Sequence, residues 1–122
     1  MGLLNTMTSH PAVDAATVTG LKDLNPDDPH FLRELIDMFL QDVPERVAEL
    51  EQALAQQDAV LLTRAAHTIK GSCSNFGAAG LVKISLEMEH QGKAADFAGA
   101  TATLPALKAE FAVVAEALKA FR

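Results

Sequence analysis

Tryptophan and tyrosine are missing from this chain of 122 residues, and cysteine occurs once, as Cys73. A single cysteine excludes an intrachain disulfide and fits a reducing, cytoplasmic compartment. Aromatic residues make up only 5% of the chain, β-branched alternation is scarce, and alanine is abundant, which excludes a sheet-rich fold and points to an all-α one. Basic residues are also few. Ten Lys and Arg stand against sixteen Asp and Glu, a net charge of −6, so the basic face of a nucleic-acid binder is not expected. Uninterrupted apolar runs are short although 49% of residues are apolar, and no segment is expected to reach the ~20 residues that cross a membrane. Finally, there is no glycine-rich nucleotide loop, no P-loop and no acidic cluster to hold Mg²⁺, which excludes ATP chemistry by this chain alone.

The length fits one domain with a single core. Residues 1–12 carry little pattern and are expected to be a flexible N-terminus; they lack the basic and apolar regions of a secretory signal. The run Met1-Gly2-Leu3-Leu4-Asn5-Thr6 formally fits the loose myristoylation pattern, which is too short to carry the assignment, and Met7 is an alternative start. A domain over residues 13–122 follows, opening with a short helix at 13–23 packed by Val18, Leu21 and Leu24. Asn25-Pro26-Asp27-Asp28-Pro29 is a turn, with Asp28 expected as N-cap and Pro29 at the first helical position. Leu32, Ile36, Phe39, Val43, Val47, Leu50 and Leu54 then recur at helical spacing to about residue 56. Pro44 predicts either a kink or a break restarted by Asp42 and Glu45; the unbroken apolar register favours the kink.

Asp58 is the expected cap of the next helix, which runs to residue 75 or 76. A further helix is expected over 79–91, with Leu81, Ile84, Ser85 and Met88 inward and Gly92 as its C-cap. The last helix starts between residues 95 and 103 and carries Leu104, Leu107, Phe111, Val114, Leu118 and Phe121, with Pro105 near its first turn or at a kink. Four amphipathic helices with short connections make an antiparallel four-helix bundle, with the short extra N-terminal helix at one end.

Residues 64–78 hold the chemistry. At 100° per residue, Leu62, Ala66, Ile69, Cys73 and Phe76 form one apolar stripe, so Cys73 reads as a buried small hydrophobe. His67 faces the other way, among Thr63, Arg64, Lys70, Gly71 and Ser74. Glycine inside a helix costs about 1 kcal/mol relative to alanine, and this chain uses alanine freely elsewhere. A glycine one turn from an exposed histidine therefore implies that something large must reach the imidazole. An imidazole with the ordinary pKa near ~6.5 is a competent nucleophile at cellular pH. A cation at +3 can offset a developing negative charge, and Ser74 and Thr63 can offer hydroxyls. His10, His30 and His90 have no comparable surroundings, and Glu87-Met88-Glu89-His90 gives one Glu-x-x-His spacing without the second that a di-metal bundle requires.

The run His67-Thr68-Ile69-Lys70-Gly71-Ser72-Cys73-Ser74-Asn75-Phe76-Gly77-Ala78 resembles the phosphorylation motif of histidine-containing phosphotransfer (HPt) domains, and weaker similarity extends through residues 28–35 and 80–81. The resemblance implies a phosphoryl carrier, not an enzyme: His67 as phosphoacceptor, Lys70 for charge stabilisation and Gly71 for access. Arg64, Ser74 and Glu89 are implied as supporting residues, Glu89 standing where the family often has a polar residue beside the histidine ring. Implied partners are response-regulator or hybrid-kinase receiver domains, which supply the Mg²⁺; this chain would have no cofactor of its own and would be a monomer. Whether it is a free-standing protein or an excised kinase module stays open, the ordinary N-terminus favouring the first. The competing reading is a phosphorylation-independent interaction bundle on the same scaffold.

Overall fold

A computed structural model describes residues 12–122. The expected flexible N-terminus and the choice between Met1 and Met7 fall, apart from Ala12, outside the described residues. Among the described residues five α-helices follow one another: α1 (Ala15–Leu21), α2 (Phe31–Gln56), α3 (Ala59–Ser74), α4 (Ala79–Lys93) and α5 (Phe97–Lys119), with a 3₁₀ turn at Lys22–Leu24. Helices α2 to α5 pack each on the next, and α5 closes back onto α2, which gives the four-helix bundle. The short α1 sits at the end of α3, where the Asp14 amide donates to the Phe76 carbonyl at 3.2 Å. Val18 on α1 is fully buried.

The apolar stripe of α3 is the spine of the core. Leu62, Ala66, Ile69 and Cys73 are fully buried, and Phe76 nearly so. Phe39 on α2 meets Phe76 edge-on at 5.1 Å between ring centroids and Phe111 on α5 at 5.7 Å, so one ring joins three elements. Burial pushes the Cys73 thiol up to about 12, which makes it an inert filler of the core. From α5, Leu107, Val114 and Leu118 are fully buried.

Helix ends follow local side-chain chemistry. Asp58 Oδ1 accepts from the Leu61 amide at 3.0 Å, as expected of an N-cap. Asp96 does the same for Gly99 at 2.9 Å and sets the start of α5 at Phe97. The turn between α3 and α4 requires positive φ at Gly77 (64°), where a Cβ would also lie 2.5 Å from that of Asp14. Helix α2 runs unbroken through Pro44, so the restart by Asp42 and Glu45 does not occur; Asp42 instead faces Arg46 at 3.5 Å.

Four expectations need correction. The cap of α2 is His30, not Asp28: Asp28 Oδ1 accepts from the His30 amide at 2.9 Å within the preceding turn, so the helix begins at Phe31. Leu24 is 71% exposed, because three residues per turn in the 3₁₀ segment carry it off the stripe of Val18. Gly92 does not end α4 but lies buried inside it. Its role is close approach: a Cβ there would stand 2.5 Å from Thr63 Oγ1 and 2.8 Å from the Thr63 amide nitrogen. Lastly, α5 is long and apolar enough, by length and composition alone, to cross a membrane. Its many alanines raise the average without forming an apolar run, and the helix packs here as a bundle member.

Two glycines on facing helices should therefore respond oppositely. Gly92→Ala should destabilise the fold by about 1–3 kcal/mol, since a backbone atom of Thr63 must move. Gly71→Ala, whose Cβ meets nothing within 4 Å, should be neutral or stabilising by up to ~1 kcal/mol. Denaturant melts of the two variants measure the difference.

Candidate functional site

The site lies where α3 and α4 run closest. Facing outward from the α3 spine, the His67 side chain is 65% exposed. One turn of α4 opposes it, and from that turn Glu89 reaches inward. The Glu89 side chain is only 6% exposed. Its Oε2 lies 3.2 Å from His67 Nδ1, and its Oε1 lies 2.7 Å from Lys70 Nζ. The second contact is the shortest of the ion pairs on Glu89. Lys93 Nζ approaches Oε2 from the last turn of α4 at 3.5 Å.

Electrostatics fix the state of this carboxyl. The Lys70 ammonium lowers it most, His67 lowers it further, and burial opposes both, leaving Glu89 at about 2 against an ordinary 4.5. An ionised carboxylate only accepts hydrogen bonds, so the proton between the two side chains belongs to His67 Nδ1. The lone pair of the neutral ring is then on Nε2.

Of the residues singled out from the sequence, the structure brings together His67, Lys70 and Glu89. Glu89 is buried and not a solvated surface glutamate. Arg64 is exposed, forms no ion pair among the described residues, and lines a groove of about 450 Å³ beside His67, together with Val60, Thr63 and Lys93. Thr63 Oγ1 donates to the Ala59 carbonyl at 2.7 Å, and Ser74 Oγ donates to the Gly71 carbonyl at 2.8 Å. Neither hydroxyl is linked to His67 by a hydrogen bond. Gly71 is exposed and its missing side chain leaves open space on the histidine's own face. Lys93 was not anticipated, although its i, i+4 spacing from Glu89 is a signal that sequence carries. Among the described residues no group of three His, Cys, Asp or Glu side chains that could hold a metal ion occurs, around Glu87 and His90 or elsewhere.

Such an arrangement offers one nucleophilic nitrogen, oriented from behind by a buried carboxylate and surrounded by cations. Comparison with known proteins agrees in kind. Residues 34–119 match the family described as Hpt domain. None of the curated proteins matches the chain. Among solved structures, the chain is similar to histidine-containing phosphotransfer protein B (HptB) from Pseudomonas aeruginosa, with 32% identity and a TM-score of 0.82 over 91% of this chain and 94% of that one. It is also similar in fold to a rice protein proposed to be a histidine-containing phosphotransfer protein, with 21% identity and a TM-score of 0.81 over 98% of this chain and 85% of that one.

The depressed Glu89 carboxyl has a consequence for stability. A carboxylate lowered on folding contributes stability that is present above its ordinary value and lost as pH falls through the folded one. The melting temperature should therefore decline between about pH 4.5 and about 2, and Glu89→Gln should flatten that decline. Melts across this range, with the Glu89 carboxyl followed by NMR, check the sign.

Proposed function

Because the chain belongs to the Hpt domain family, we propose that it carries a phosphoryl group on His67, accepting it from the aspartate of one receiver domain and passing it to another. The observation that carries this reading is the pairing of His67 Nδ1 with a buried carboxylate at 3.2 Å while the imidazole itself stays 65% exposed. Phosphoryl transfer asks for position and charge stabilisation more than for covalent chemistry, and this site supplies both to one atom.

In the forward step, His67 Nε2 attacks phosphorus, the P–N bond forms and the bond from phosphorus to the aspartate oxygen breaks. The aspartate leaves as a free carboxylate. The ring keeps its Nδ1 proton and becomes cationic, and Glu89 Oε2, accepting that N–H, offsets the charge. In the return step a second aspartate attacks phosphorus, the P–N bond breaks, and the imidazole is neutral again with no net proton exchange. Lys70 lies within reach of both Glu89 and the phosphoryl position one turn away. The Mg²⁺ and remaining catalytic groups would belong to the receiver, so the chain acts as a carrier and not as an enzyme.

A second groove, of about 410 Å³ between α1, α2 and α3, supports docking on the outer faces of α2 and α3. Its lining includes Leu21, Leu24, Leu35, Met38 and Phe76, of which Leu24 and Met38 stand 71% and 65% exposed. Apolar side chains left open at this level are what a partner's apolar face would cover.

Two variants test the reading. His67→Gln should abolish labelling by a phosphorylated receiver domain while the melting temperature stays near wild type, and the label on wild type should be acid-labile and base-stable, as a phosphoimidazole is. Labelling that persists in His67→Gln would leave the phosphorylation-independent bundle as the better account. Gly71→Gln should fold normally yet block transfer, since its side chain would stand over the imidazole at i+4. Transfer at the wild-type rate would remove the access argument.

A further inference from the structure

The least explained charge near His67 is Lys93. Its side chain is 63% exposed, its Nζ stands 3.5 Å from Glu89 Oε2, and it makes no other ion pair among the described residues. A surface pair of this length contributes little by itself. Its partner is the unusual member: the Glu89 side chain is 6% exposed, and removing compensation from a buried charge is costly. Glu89 has its close cation already, Lys70 at 2.7 Å. A second lysine held loosely on the same carboxylate is redundant in the unphosphorylated protein.

It is no longer redundant once His67 is phosphorylated. A phosphoryl group brings about −1.5 to −2 charge one helical turn from Lys70. Among the described residues Lys70 makes one ion pair, with Oε1, and its side chain keeps 26% exposure. The stronger negative centre draws it outward. Glu89 is then left buried with only the Nδ1–H of His67, unless another cation closes in. Lys93, on a flexible stem in the last turn of α4, faces that carboxylate and is free to do so.

We propose that Lys93 is the reserve counter-ion of Glu89, taking over the buried carboxylate when Lys70 turns to the phosphoryl group. This rests on the carrier reading above and adds a positioning residue to it; Lys93 acts through Glu89 and does not touch the phosphoryl group. The other charged or titratable groups around Glu89 are His67 and Lys70 on α3, with Arg64 on the rim of the same groove. Helix α5 contributes Thr103 to this level of α4, and that hydroxyl bonds Gln91 and Glu87 instead.

The first arm of the test needs no phosphorylation. The Glu89 carboxyl is titrated by ¹³C NMR in wild type, Lys70→Ala, Lys93→Ala and the double variant. Each single variant should leave Glu89 ionised above pH 5, because the other lysine substitutes. The double should raise its pKa beyond the sum of the singles, by about one pH unit or more, the size of coupling expected between adjacent charges. Additive shifts would overturn the proposal. The second arm follows the lifetime of the phosphorylated protein from pH 5 to 9. Lys93→Ala should shorten it with a new titration in that range, reporting proton uptake by Glu89, and Lys93→Arg should restore the wild-type profile. A shortening equal at every pH would mean that Lys93 meets the phosphoryl group directly, and would also overturn the proposal. If wild type takes no label at all, the carrier reading fails while the first arm still decides the role of Lys93.

Discussion

A carboxylate kept charged under a protein surface is the constraint on which this site turns. Taking a lone carboxylate out of water costs several kcal/mol, and only close partners offset it. Glu89 has an ammonium on one oxygen at 2.7 Å and an imidazole N–H on the other at 3.2 Å. Those partners come from α3, whereas the carboxylate comes from α4. The register between the two helices is therefore fixed by charge at the surface and by packing beneath it. The packing contribution is the close passage of Gly92 over Thr63, where no side chain intervenes. Any shift that relieved a Cβ at residue 92 would also move Glu89, three residues earlier on the same helix, away from His67.

Helix α3 divides its labour between two faces. The inner face, from Leu62 to Phe76, is buried and supplies stability. The outer face gives some of that stability up: glycine at 71 costs about 1 kcal/mol of helix propensity, and Thr63 and Ser74 spend their hydroxyls on their own backbone. What the outer face gains is an uncovered imidazole. The loss is tolerable because the core contribution of the same helix is several times larger, with four side chains at zero exposure.

Periodicity makes the inner face legible in the sequence itself. A stripe recurring every three or four residues leaves His67 no direction but outward, and the N-cap at Asp58 follows from the same local logic. The misreadings share a cause as well. Gly92 near a helix end looks the same in sequence whether it terminates the helix or admits a neighbour, and only Thr63 on another helix distinguishes the two. Leu24 has the right spacing but the wrong helix type beneath it. Asp28 spends its cap hydrogen bond one turn early. Glu89 is the instructive case: exposed and buried glutamates are identical letters, and its burial depends on partners twenty-two and nineteen residues away on α3.

The charge of the cluster bears on why a carrier would contain an acidic residue at all. Arg64, Lys70 and Lys93 would together present +3 to an incoming phosphoryl group, and Glu89 reduces this to +2. The group itself carries about −1.5 to −2. Counting the ring made cationic by transfer, the phosphorylated site on the carrier reading carries about +1, against about +2 had Glu89 been absent. A protein that must release what it accepts gains nothing from holding it tightly, since an interaction made equally with the bound group and with the transition state does not speed its departure. Without Glu89 the cations would be unopposed, and the phosphohistidine would sit in a deeper well. The buried carboxylate thus does two things at once. On the carrier reading it would point Nε2 outward for attack and limit the attraction that follows, which in an acidic protein of net charge −6 would keep the basic character of this face local to that nitrogen.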